Sequence, residues 1–97
     1  MQQREPMVYI MASGRGGTLY VGVTSNLSQR VWQHRAGQMS GFTKRYSCKT
    51  LVYFDLFDRM EDAIAREKQI KAGSRLDKIR LIENMNPLWA DLYETLV

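Results

Sequence analysis

The sequence is poor in the residues that would cross-link a small domain or place it in a membrane. It has one cysteine, Cys48, and one histidine, His34. A lone cysteine excludes an internal disulfide, and the two together are too few for a structural zinc site. No run of about 18 apolar residues occurs, which excludes a transmembrane helix. The opening MQQREPMVYI has no basic stretch followed by a long apolar one, so a secretory signal is not expected. A reduced, cytoplasmic setting fits this composition. Acidic residues are missing altogether between Pro6 and Phe54, a stretch that carries Arg15, Arg30, Arg35, Lys44, Arg45 and Lys49. From Asp55 onward, seven basic and nine acidic residues nearly balance. A one-sided positive field suits a polyanionic partner, of which nucleic acid is the usual one, and equally suits a merely solvated basic face.

The 97 residues, 44% of them apolar, suit a single domain over 1–97 with one modest core. Met7–Met11 and Thr18–Val23 are β-prone and flank the glycine-rich Ser13–Gly17, which predicts a hairpin. Ser25 or Asn26 can cap a helix that runs to about Ala36 and stops at Gly37. Gln38–Cys48 has no period and reads as a basic loop. TLVYFDLF, Thr50–Phe57, predicts a third strand, and its near-continuous apolarity suggests a central one. Asp58 and Glu61 form a capping-box pattern before a helix to about Ala72, ended by Gly73. Ser74 and Asp77 resemble a second cap, before a helix to about Asn84. Asn86-Pro87 looks like a third start, with Trp89, Leu92 or Tyr93, and Leu96 facing inward. The order is β-β-α-β-α-α-α. The class is α+β, a small three-stranded mixed or antiparallel sheet covered by helices.

Some residues fit this scheme poorly as structure alone. Met60, Ala63, Ile64, Glu67 and Ile70 share one helix face, and a carboxylate is out of place there. Glu67 is expected either at the rim beside a cation or paired with an arginine. Arg30 and His34 project from one helix face about a turn apart. Their helix begins just after the strand of Tyr20, and in a tight hairpin Tyr9 and Tyr20 become cross-strand neighbours. Each residue alone has an ordinary structural use. Their joint occurrence points to a site.

The ordered pattern Val8-Tyr9-Ile10, Tyr20-Val21-Gly22, Leu27-Ser28-Gln29-Arg30 with His34, and AIAREKQIK with Glu67 resembles the GIY-YIG nuclease module. The ending, with Lys78 and NPLWADL, is similar to small single-domain bacterial members, relatives of the nuclease domain of the excision-repair excinuclease. The resemblance spans roughly Met7 to Leu92. Val8 departs from the family's first tripeptide but leaves Tyr9 in place. Val23 stands where some relatives carry lysine, a cation that Lys44 would replace. Ala90 stands where many carry asparagine, between Asn86 and Asp91.

The resemblance implies a metal-dependent endonuclease that hydrolyses phosphodiester bonds in DNA, with RNA left open. It implies Tyr9, Tyr20, Arg30, His34 and Glu67 as catalytic residues. Glu67 would anchor a divalent cation, Mg²⁺ or Mn²⁺, which prefers oxygen ligands and keeps several waters. Arg30 suits the non-bridging phosphate oxygens through its planar fork. Tyr9 is the first choice as base, helped by the charge of Arg30 or the metal, with Tyr20 orienting water and the reverse order open. His34 would relay a proton or hold a phosphate. Arg35, Lys44, Arg45 and Lys49 would follow the nucleic-acid backbone, without reading bases. Little sequence specificity is expected, and a protein partner supplying it is left open, as is a non-catalytic binding module with the same fold.

Overall fold

The structure, a computed structural model, describes residues 5–38, 41 and 45–96. Strands β1 (Met7–Ala12) and β2 (Leu19–Thr24) form the expected hairpin, antiparallel and in register from Met7 opposite Thr24 to Ala12 opposite Leu19. Ser13 closes the turn from both sides. Its N–H donates to the Thr18 carbonyl and its Oγ accepts from the Thr18 N–H. Helix α1 (Leu27–Arg35) starts at Asn26, whose side chain accepts from the Gln29 N–H. It ends before Gly37, which takes the left-handed conformation that glycine adopts at little cost.

Strand β3 (Thr50–Leu56) pairs antiparallel with β1, so the sheet order is β2-β1-β3. The expectation of a central third strand is therefore corrected: β1 is central, and β3 is an edge. The apolar run in β3 has another cause, which is that both faces of the sheet are covered. One face buries Val8, Ile10, Ala12, Val21, Val52 and Tyr53 beneath helices α2 (Met60–Ala72) and α3 (Arg75–Met85). The other buries Tyr9, Met11 and Leu51 against Leu27 and Val31 of α1 and Cys48. Alternate residues of β1 thus serve two cores, as the period of a strand requires. A bulge between the Ile10–Tyr53 and Met11–Leu51 pairs sets Val52 and Tyr53 into the same core.

The start of α2 also differs from expectation. Arg59 is its N-cap and no side chain caps it; Glu61 forms an ion pair with Arg59 instead of closing a box with Asp58. The second box is real. Ser74 Oγ accepts from the Asp77 N–H, and the Asp77 carboxylate accepts from the Ser74 N–H. Those bonds favour the ionised carboxylate and lower its pKa.

The last predicted helix does not form, and within the stretch expected to be a basic loop Arg45 and Tyr46 are helical, with the Arg45 N–H donating to the Gly41 carbonyl. Asn86 donates to the carbonyls of Val52 (3.1 Å) and Ala90 (2.8 Å) and accepts from the Ala90 N–H (3.0 Å). Those bonds fold residues 86–90 into a loop clamped to β3. Trp89 sits there with φ of 56°, a region costly for a bulky residue. It is held by burial and by its Nε1–H bond to Glu83. Only a 3-10 turn, Leu92–Thr95, follows, capped by Asp91. Asn86→Ala is expected to lower stability by about 1–3 kcal/mol, because it strands buried backbone groups of two segments. Urea denaturation at unchanged slope would show it, and an unaltered midpoint would refute the clamp.

Candidate active site

Tyr9 is fully buried, on the α1 side of the central strand, opposite Gly22 of β2. A Cβ at Gly22 would lie 2.5 Å from the Tyr9 hydroxyl oxygen and 2.6 Å from Cζ. The glycine is thus a requirement of contact: the Tyr9 ring lies across the β2 backbone, where no side chain stands. Its hydroxyl is then 3.0 Å from Nε2 of His34. Tyr20 completes an aromatic triangle, with centroids 6.2 Å from Tyr9 and 5.3 Å from His34. The two tyrosines are diagonal rather than directly opposite, since Tyr20 faces Met11. Diagonal neighbours on one face remain within reach of aromatic side chains.

Helix α1 supplies His34 and Arg30 through one periodicity. Leu27, Val31 and His34 are its buried residues, and Arg30 adjoins that stripe. The Arg30 guanidinium lies close enough to the Tyr9 hydroxyl to act on it electrostatically. Its charge lowers the proton affinity of the phenol, as expected from the sequence, but burial acts more strongly in the opposite direction. Tyr20 and the Glu67 carboxylate add to the rise, and Tyr9 ends well above the ordinary range. Burial, and then the Arg30 charge, depress the His34 pKa to about 4. The ring is neutral near pH 7, so Nε2 either accepts from the phenol or donates to it; both tautomers tie the pair. Nδ1 is buried and has no hydrogen-bond partner among the described residues.

Glu67 comes from α2, on the other face of the sheet, yet its charge is felt at Tyr9. Its side chain is 15% exposed and pairs with Lys71 Nζ at 3.3 Å. Of the two expectations, rim beside a cation or arginine pair, the first holds, with a lysine of the same helix as the cation. Helical pairs of this kind contribute only about 0.3–0.5 kcal/mol. Beside the cluster lies a shallow depression of about 270 Å³ lined by Leu19, Tyr20, Val21, Lys71 and Lys78, to which Tyr20 alone of the five candidate residues contributes. Tyr20 and Val21 point to opposite faces, so the depression straddles the open edge of β2, where no further strand separates the two layers.

The residues expected to follow a nucleic-acid backbone divide. Arg45 and Lys49 are exposed, with Arg45 5.5 Å from the centre of the Tyr46 ring. Lys44 lies outside the described residues. Arg35 is instead engaged with the terminal segment, 2.7 Å from Asp91 and 4.8 Å over the Tyr93 ring. Asp91 also accepts from the backbone of Leu51 and Tyr93. Lys71 and Lys78 line the depression beside Tyr20 and are not among the residues expected at a site. The spacing of Lys71 four residues after Glu67 is the one local signal that points to it.

Comparison with known proteins decides the family. The model of the GIY-YIG catalytic domain matches residues 5–80. The chain belongs to the GIY-YIG family. The matched region holds all five converging residues and ends within α3, so Asn86, Asp91 and the 3-10 turn lie beyond it. This GIY-YIG chain is 37% identical over 76 residues to a UPF0213 protein of Staphylococcus haemolyticus, covering 78% of this chain and 92% of that one. It is 41% identical over 66 residues to one of Pediococcus pentosaceus, covering 68% and 70%. The solution NMR structure of a UPF0213 protein from Bacillus halodurans is similar, with a TM-score of 0.56 at 25% identity over 90% of this chain and 92% of that one. The similarity extends to small relatives of nearly the same length. No helix among the described residues is long and apolar enough to cross a membrane.

Two expectations test the geometry. Gly22→Ala should displace the Tyr9 ring and destabilise the domain by about 1–3 kcal/mol, as overpacking does. Thermal unfolding and loss of the Tyr9–His34 ring NOE would report it; an unchanged NOE would refute the close contact. His34 should titrate near pH 4 in the folded protein rather than near 6.5. Its folded pKa lies below the unfolded one, so the unfolded chain binds the proton more readily between those values. Stability is therefore lost as pH falls from about 6.5 to 4, by up to roughly 3 kcal/mol. NMR titration gives the midpoint, and His34→Gln should flatten this part of the stability profile.

Proposed function

We propose that this GIY-YIG protein is a metal-dependent endonuclease that hydrolyses phosphodiester bonds in DNA with little sequence specificity. One observation carries the reading: Tyr20 and His34 pack around a buried Tyr9 phenol whose hydroxyl bonds to His34, and the charges of Arg30 and Glu67, from two separate helices, act on that hydroxyl. Packing alone has no need of a buried phenol–imidazole pair beside an arginine and a carboxylate.

Among the described residues no three His, Cys, Asp or Glu side chains cluster as a metal cage. The donor set is one carboxylate, Glu67, partly exposed and held by a weakly bound ammonium. That fits a hard cation that keeps most of its waters, Mg²⁺ or Mn²⁺, and fits poorly a metal needing a full protein shell. When bound, such an ion supplies charge neutralisation at the phosphate and assistance to the leaving 3′-oxygen.

The chain's own groups divide the remaining work. Arg30 binds the non-bridging oxygens, where charge grows in the transition state. In this reading Tyr20, which lines the depression, orients the attacking water and takes its proton. Tyr9, first choice as base from the sequence, is buried and holds its proton more tightly than a free phenol. Its role here is to align Tyr20 and Arg30, with neutral His34 fixing its hydroxyl. Arg45 and Lys49 add sequence-independent attraction.

Purified protein on labelled single-stranded, duplex, nicked and branched DNA, with RNA beside them, tests this. Cutting is expected with Mg²⁺ or Mn²⁺, none in EDTA and none by Glu67→Ala. Arg30→Ala should lose about 10²–10³-fold in rate, the usual loss for one transition-state donor. Tyr20→Phe should lose rate while DNA affinity is kept. Binding without cutting, unaltered by Glu67→Ala, would sink the enzyme reading and leave a nucleic-acid-binding module. Cutting only when a second protein is added would place specificity in a partner.

A further inference from the structure

Large apolar side chains left in solvent divide by kind along the chain. Among the described residues the exposed aromatic ones are Trp32 and Tyr46, and both fall in the stretch without acidic residues. The exposed aliphatic ones, from Leu56 to Leu88, all come after it. Single exposed leucines are ordinary on a protein surface. A half-exposed tryptophan is not, because its indole offers a large apolar area to any core. The other tryptophan, Trp89, is buried and hydrogen-bonded to Glu83. Trp32 is 50% exposed. By the helical repeat it stands away from the Leu27, Val31 and His34 stripe of α1, with Arg30 on one flank and Arg35 on the other. Tyr46 is 43% exposed, and the Arg45 guanidinium lies 5.5 Å over its ring. Both residues closely precede Cys48, which shares a core with Tyr9, Leu27 and Val31, so this segment joins the sheet on the α1 side. Trp32, Tyr46 and the Tyr9–His34 pair therefore belong to one layer. The Asp91 carboxylate on this side is matched by Arg35, which leaves the surroundings of the two rings positive.

We propose that Trp32 and Tyr46 form a stacking surface on the α1 layer for unpaired nucleobases, and that the nucleic acid this protein takes is single-stranded where it binds. Naming that strand as the substrate rests on the nuclease reading; the stacking surface does not. Rings interleaved with cations match a single strand, whose bases stack on the rings while its phosphates meet the cations. A continuous duplex offers only base edges and phosphates, because the faces of its internal bases are already stacked. The aromatic character of the two residues is what the argument uses. A protein partner is served as well by leucine or methionine, and those side chains are exposed in the other half of the chain. Every base has a π-face, so such a surface selects strandedness without selecting sequence.

The test uses the whole protein in EDTA, so that binding is read apart from cutting. The probes are oligo-dT, oligo-U and a blunt hairpin duplex with the same number of phosphates. The chain has two tryptophans, and of these Trp32 alone is open to solvent, so quenching of the red-edge emission reports stacking on it. At least one of the single strands should quench that emission and the duplex should not. Trp32→Leu should abolish the quench and weaken single-strand binding about 5–100-fold, the usual loss for one stacked base. Its salt dependence should keep the wild-type slope, since no phosphate contact is removed. Its unfolding midpoint should stay where it is, since the side chain is exposed. Trp32→Tyr should recover most of the affinity, which a role in folding or charge does not predict. Tyr46→Leu should weaken single-strand binding and keep the quench. No change in emission with either single strand, or single-strand affinity unaltered in both leucine variants, would overturn the surface; metal-dependent cutting by the same protein would then still uphold the nuclease. Tighter binding of the duplex than of both single strands would overturn the choice of strand. Quenching and single-strand preference in a protein that cuts nothing with Mg²⁺ or Mn²⁺ would uphold the surface and remove the nuclease.

Discussion

The ring of Tyr9 crosses the backbone of β2 at Gly22, and the arrangement of the site depends on that contact. The central strand is paired on both sides, so a side chain on it would ordinarily be buried under a helix with no route to solvent. The missing Cβ lets the phenol reach sideways across the neighbouring strand toward the sheet's edge. There its hydroxyl meets His34 and Arg30 of α1, its ring meets Tyr20, and it feels the charge of Glu67. Burial makes the phenol hold its proton, and it makes His34 refuse one. The same desolvation therefore produces a neutral, mutually bonded pair at the centre of an otherwise charged site.

The open edge of β2 explains why the cluster lies where it does. A sheet with helices on both faces keeps the two layers apart except at its free edges. An exposed edge is normally a liability, because unpaired backbone groups invite another strand, and lysines are a common defence. Lys71 and Lys78 stand at this edge and fit that use.

The family and the candidate site residues are legible in the sequence because they follow local rules. Tyr9 and Tyr20 fall on strands of a hairpin set by the Ser13–Gly17 turn. Arg30 and His34 share a helix face by spacing, and Glu67 breaks the apolar face of its helix. Less legible are features in which a long-range contact overrides local preference. Asn86-Pro87 reads as a helix start, but the Asn86 side chain bonds to Val52, distant in sequence, and turns the chain away. The apolarity of TLVYFDLF is real, yet it reports two covered faces rather than a central position. Arg35 reads as a free cation, but the terminal loop brings Asp91 and Tyr93 beside it.

The sequence by itself determined the hairpin, the order of strands and helices through α3, and which residues are chemically out of place in a core. Period, caps and glycine positions encode these within a few residues of chain. Only the tertiary structure decided the strand order, the identity of the Glu67 partner, and the burial of Tyr9 against the lesser burial of Tyr20. The reason is physical. Burial, which sets the proton affinities of Tyr9 and His34, is a property of everything packed around a group. No local window of sequence contains the residues that do the packing.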